Sequence, residues 1–157
     1  MPISPEREAL IWRLVNDEWD DESELASFFT SVCDPAELHM FASYFNWDAG
    51  PDELQNVVAH PLCDLGTVLL VYWRGRPTWY QRYESRDAVS EYELEAYDFL
   101  RDIEKRVLAG QYRTSDIAYD PRNDLNQDQT HQALRPREVR WQIPAIMYQP
   151  TGATPRK

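Results

Sequence analysis

The sequence predicts an all-α protein: a compact bundle of about six helices around a central helical hairpin, with an irregular C-terminal arm. Three observations predict it. Apolar residues recur at helical spacing through most of residues 1–110. Ser4-Pro5, Asp34-Pro35 and Gly50-Pro51 punctuate that pattern, and proline's fixed φ suits a first helical turn. The most apolar run, Val68–Trp73, is short and follows a capping Asp64.

Taken in order, Ser4 caps the first helix, with Ile11, Leu14, Val15 and Trp19 on one face and an end near Asn16–Trp19. The second runs roughly Glu22–Ser31, with Leu25, Phe28, Phe29 and Val32 inward. Asp34 caps the third, Glu37 is placed to bond back as in a capping box, and Leu38, Phe41, Ala42 and Phe45 form its buried face. The stretch Asn46–Gly75 is the organising hairpin. Its short first helix starts at Gly50-Pro51 and ends at His60-Pro61, because a residue before proline is pushed out of the helical region. Its second half, Leu65–Arg74, is apolar on all sides. Periodicity alone leaves helix and strand open, and the Asp64 cap and helical neighbours favour helix. Gly75-Arg76-Pro77 makes a turn, Thr78–Tyr83 a loop or a single helical turn, and Arg86–Ala109 the longest helix, with Ser90-x-x-Glu93 as a second cap signal and Gly110 as its stop. Asp120-Pro121 opens a short helix through Leu134; Arg137–Tyr148 reads as an edge strand or extended arm, since Pro144 lacks the N–H a ladder needs. This divides the chain into a helical domain over 1–110, an extension over 111–150 packed on it, and a disordered tail over 151–157.

Composition bounds the function. The chain has 157 residues, 13% of them aromatic, and a formal net charge of −11. Residues 1–63 carry 13 acids and two arginines, so the whole excess lies there. Such a field repels nucleic acid and anionic membrane and attracts a basic partner. No apolar run approaches the roughly 20 residues of a membrane span, and no signal-peptide pattern opens the chain, so a cytoplasmic location is expected. The two cysteines, Cys33 and Cys63, are then expected to be reduced.

Three groups of residues invite a chemical reading. Cys33, His39, His60 and Cys63 are acceptable zinc ligands, but their Cys-x5-His-x20-His-x2-Cys spacing fits no familiar finger; buried thiols and helix-end histidines explain them, and no metal or cofactor is expected. Asp48 and Asp64 could pair across the hairpin for acid–base work, yet an Asx turn and an N-cap account for them locally. The run Asp17, Glu18, Trp19, Asp20, Asp21, Glu22 and Glu24 lacks the spacing of a calcium loop. It reads as an acidic surface around an aromatic anchor, with a core role for Trp19 equally open. The segment Arg74–Arg86, with Trp79, Tyr80 and Tyr83, is read as pairing within the chain. No nucleophile elbow or phosphate loop is present, so no catalytic residue is assigned.

The residues Leu38-His39-x-Phe41, Asn46-Trp47-Asp48-x-Gly50 and His60-Pro61-x-Cys63-Asp64-x-Gly66-Thr67-x-Leu69 together resemble a bacterial family catalogued as domain of unknown function 4274, over roughly Glu37–Trp73. The resemblance implies a compact helical domain and brings no activity with it. The small, acidic profile is also similar to that of bacterial toxin-immunity proteins. The expectation is a non-enzymatic module that neutralises a basic protein, a toxin in its sharpest form. The alternatives are a metal-dependent enzyme centred on Asp48, His60, Cys63 and Asp64, or a structural domain that homo-oligomerises through exposed aromatics.

Overall fold

Ser4, Asp34 and Asp64 each accept a hydrogen bond from a first-turn amide, at 3.2, 2.9 and 2.8 Å, and so fix the starts of three helices. The computed structural model describes residues 3–16, 22–124, 127–135 and 138–152. Among them the chain forms eight α-helices: α1 Pro5–Val15, α2 Glu22–Ser31, α3 Pro35–Tyr44, α4 Asp52–Val58, α5 Leu65–Arg74, α6 Pro77–Tyr80, α7 Leu94–Leu108 and α8 Gln127–Leu134. Short 3-10 turns cover Trp47–Ala49, Arg86–Ala88, Glu91–Glu93, Pro121–Asn123 and Ala145–Tyr148. No strand forms among the described residues; a single antiparallel bridge joins Tyr119 to Thr151.

The segment open to two readings, Leu65–Arg74, is a helix and the axis of the fold. Every α5 residue from Gly66 to Trp73 is buried. Because α5 is apolar all round, it needs neighbours on every side. It receives α3, α4, α6 and α7 as well as the Pro121–Asn123 turn. The core joins Ile11 and Leu14 of α1, Phe28 of α2, Leu38 and Phe41 of α3, Leu54 and Val57 of α4, and Leu100 and Ile103 of α7 to this axis. Phe28, Phe29, Phe41 and Phe45 form a chain of ring contacts 5.1–5.9 Å apart, which seats α2 on α3.

Several expectations need correction. The longest helix starts at Leu94, not near Arg86. Val89 turns its side chain into the core on an extended backbone and breaks the run into two 3-10 turns. Ser90 does not cap; its hydroxyl donates to the Glu93 carboxylate at 2.7 Å. Glu37 does not close a capping box on Asp34: it is buried, takes the Arg7 Nε at 2.6 Å, and reaches the Cys33 amide at 3.4 Å. Arg137–Tyr148 forms neither strand nor free arm where it is described. Pro144 leads into a 3-10 turn, and Met147 is buried with its carbonyl accepting from the Trp73 indole at 2.7 Å. Thr151, expected to open a disordered tail, is instead buried and pairs with Tyr119 in both directions, at 2.8 and 3.2 Å; the rest of that expected tail, residues 153–157, lies outside the described residues.

Candidate functional site

The sequence crowds Asp, His, Cys and Gly into Asn46–Gly75, and the structure gives most of them structural tasks. Asp64 is 1% exposed. Its Oδ1 accepts from the Gly66 amide at 2.8 Å and the Ile117 amide at 3.3 Å; its Oδ2 accepts from the Asp116 amide at 2.8 Å and the Thr114 hydroxyl at 2.9 Å. One carboxylate therefore caps α5 and docks the 114–117 segment on it. Gly66 is required beside it: a Cβ there would lie 2.3 Å from the Ile117 carbonyl oxygen and 2.7 Å from Thr151 Oγ1. Thr67, fully buried, is 2.9 Å from His39 Nδ1. Burial and the nearby Arg74 hold the His39 pKa below the ordinary histidine value, against the opposing pull of Asp64 and Asp124. The Cys-Asp-x-Gly-Thr run is thus a fastening.

The proposed centre at Asp48, His60, Cys63 and Asp64 does not assemble. Asp48 is exposed on a 3-10 turn, where Asn46, not Asp48, supplies the Asx-type bond, at 3.0 Å. His60 receives the Leu62 amide on Nδ1 at 3.0 Å, which leaves Nε2 to donate to the Phe29 carbonyl at 3.0 Å. His60 and Cys63 do share the wall of a small cleft of about 190 Å³ with Tyr112 and Arg113, but neither aspartate lines it. Burial, helped by Asp64, pushes the Cys63 thiol up to about 12, so it is protonated and a poor nucleophile. Among the described residues no group of three or more His, Cys, Asp or Glu side chains is arranged to hold a metal ion. The set Cys33, His39, His60 and Cys63 accordingly does not converge.

Of the acidic run, Asp17, Glu18, Trp19, Asp20 and Asp21 lie outside the described residues. Glu24 forms a two-pronged ion pair with Arg13 that ties α2 to α1. Glu22 stands exposed in the first turn of α2, at one end of a groove.

That groove and a second one flank α4, and they are what sequence reading missed. Between α4 and α7 lies an open cleft of about 520 Å³ walled by Gln55, Asn56, Glu95, Asp98, Asp102 and Arg106. Its bases are already engaged: Arg106 with Asp102 at 2.7 Å, and Arg86, just outside, with Asp98 at 2.9 Å. Glu95 in its wall lies beside Asp52, and this second carboxyl raises the Glu95 pKa. Between α2 and α4 lies another groove of about 440 Å³, with Glu22, Asp52 and Glu53 at its rim and Leu25, Ala26 and Phe29 beneath. The available signal was the pair of acids Asp52 and Glu53 in the first turn of α4.

The Arg74–Arg86 segment pairs within the chain. Arg74 forks onto Asp124 at 2.8 and 3.0 Å and reaches the Ser43 carbonyl at 2.7 Å. Arg82 lies 3.6 Å over the Trp79 ring. Trp79, Tyr83 and Ser90 all donate to Glu93; bonds from Tyr83, then Ser90, are the main cause of its lowered pKa.

Fold and surface define an all-α domain with a structurally occupied centre and an acidic flank. Residues 33–108 match the family model described as Domain of unknown function (DUF4274), so the resemblance over Glu37–Trp73 extends from Cys33 through α7. No curated protein and no solved structure matches the chain.

Proposed function

We propose that this protein is a non-enzymatic binding module of the immunity or antitoxin type, which occludes a basic toxin in the bacterial cytoplasm through its acidic face. The observation that carries the reading is the acid-rimmed groove along α4: Glu22, Asp52 and Glu53 line it with no base among them, and Glu95 lies beside Asp52, while Asp98 and Asp102 across α4 are already paired with arginines. The charge of −11 supports it, as does its placement: the whole excess lies in residues 1–63, whose two bases, Arg7 and Arg13, are both paired within the chain. Such a face accelerates encounter with a basic surface and sets orientation. In this reading the acidic stretch Asp17–Glu24 contributes steering charge, reduced by the internal use of Glu24. Affinity capture from the native host identifies the partner. The association rate of the purified pair is expected to fall steeply between low and physiological salt, because exposed charges are screened beyond about 8–10 Å; a rate indifferent to salt overturns the reading.

A further inference from the structure

We infer that the trough between α2 and α4, continued along the 59–62 loop, is the docking groove for an amphipathic, basic segment of the protein partner. The inference rests on the acidic-face reading and deepens it by naming a groove and the chemistry of its occupant.

Two adjoining depressions make the trough. The first, with Glu22, Asp52 and Glu53, shares Phe29, Thr30 and Asn56 with a second of about 590 Å³ that ends at Val32, Pro61 and Leu62. The two run together as one channel. It is wide because α2 turns the small, exposed Ala26 and Thr30 into it, while Phe28 and Phe29 are the α2 residues that reach the core. Its floor is apolar and unpartnered at the far end, where Leu62 is 37% exposed. Its walls are fixed. His60 donates to the Phe29 carbonyl at the end of α2 and accepts from the Leu62 amide, so one imidazole holds the α2 side and the loop side at a set separation. A groove fixed in advance costs little ordering on binding.

The lining has a polarity that selects the occupant. No Lys or Arg is among the residues that line it. Carboxylates occupy the end formed by the first turns of α2 and α4; Phe29, Val32, Pro61 and Leu62 occupy the other. A complementary segment carries Lys or Arg against Glu22, Asp52 and Glu53 and seats an apolar side chain over Phe29 and Leu62. An amphipathic basic helix has this pattern, with anchors on one face and charges beside it. An acidic or purely polar segment does not.

The test uses the full chain and three labelled synthetic peptides of helical period, followed by fluorescence anisotropy: Lys/Leu with Leu at i, i+3, i+4 and i+7 and Lys between, Lys/Ser with Ser in place of Leu, and Glu/Leu with Glu in place of Lys. Ala26→Arg and Thr30→Arg fill the trough from exposed helix positions without touching the core. Gln55→Arg places the same charge on the other flank of α4. The Lys/Leu peptide is expected to bind wild type, to lose at least about tenfold in affinity with either trough variant, and to be little affected by Gln55→Arg. Circular dichroism melts matching wild type establish that the variants fold. Equal binding of the Lys/Ser peptide overturns the trough, since the apolar floor is then unused. Loss on Gln55→Arg alone also overturns it and leaves the acidic face standing on the opposite groove. If no peptide binds, the trough is rejected, while the acidic face is judged separately by the salt dependence of the captured partner.

Discussion

Asp64 holds four hydrogen bonds on two oxygens in a site closed to water. Asparagine would present an NH2 group to donors on one side and leave buried N–H groups without an acceptor. Asp64→Asn is therefore expected to cost about 3 kcal/mol in urea denaturation; a loss below about 1 kcal/mol would show the carboxylate to be dispensable. Glu104 has the opposite character. It is buried beneath Tyr72, whose hydroxyl donates to it at 2.6 Å, and pairs with Arg101 at 3.1 Å. Burial raises its pKa above the ordinary value, and Tyr72 and Arg101 offset this only in part. The folded chain thus holds this proton to higher pH than the unfolded chain does. Its contribution is complete below the unfolded value and is lost as pH rises through the folded one. Glu104→Gln keeps an acceptor for Tyr72 and is expected to flatten that part of the pH–stability curve, as read from urea midpoints at a series of pH values. For the cysteines, Cys33 is exposed and Cys63 buried. A thiol reagent is expected to label Cys33 quickly in the native protein and Cys63 only on unfolding; fast labelling of both would contradict the protonated, buried thiol.

At the level of elements, α5 depends on residues remote in sequence. Gly66→Ala drives a methyl group into a backbone carbonyl that cannot yield as a flexible side chain would. It is expected to destabilise by about 1–3 kcal/mol and to loosen the 114–117 segment first, as seen in hydrogen exchange of the Asp116 and Ile117 amides. The legible elements were those whose signals are local. Asp34-Pro35 and the Phe41 face specify α3 within a dozen residues, and Asp64 makes α5 a helix despite its β-branched content. The start of α7 was illegible because Val89, Tyr92, Ala96, Phe99 and Leu100 fall at helical spacing, so the pattern looked continuous although Tyr92 is exposed. Only tertiary demand, with Glu93 taken up by Trp79 and Tyr83, breaks the chain there. Glu37 shows the same effect: its capping-box spacing was correct, and Arg7, thirty residues away, claimed it.

On the scale of the whole molecule, charge was read from composition but its geography was not. The excess of acids in residues 1–63 is plain in the sequence. The placement of α4 between α2 and α7, which sets Asp52 beside Glu95 and leaves a groove on each flank, depends on how helices pack. Residues that looked chemical, His60 and Asp64 above all, turned out to hold walls and loops in place, a role with no signature of its own in one dimension. The salt-dependent association rate and the groove variants test this scale directly.

The indole of Trp73 donates to the carbonyl of Met147, a partner 74 residues further along the chain. On a ribosome adding about 5–20 residues per second, that partner is made some 4–15 s later. Through that interval the Trp73 N–H has only water or a chaperone to bind, and for the earlier part of it the Asp64 carboxylate holds the Gly66 amide but not yet its partners at 114–117. A chain stalled short of Met147 therefore has a core whose Trp73 indole lacks its native acceptor.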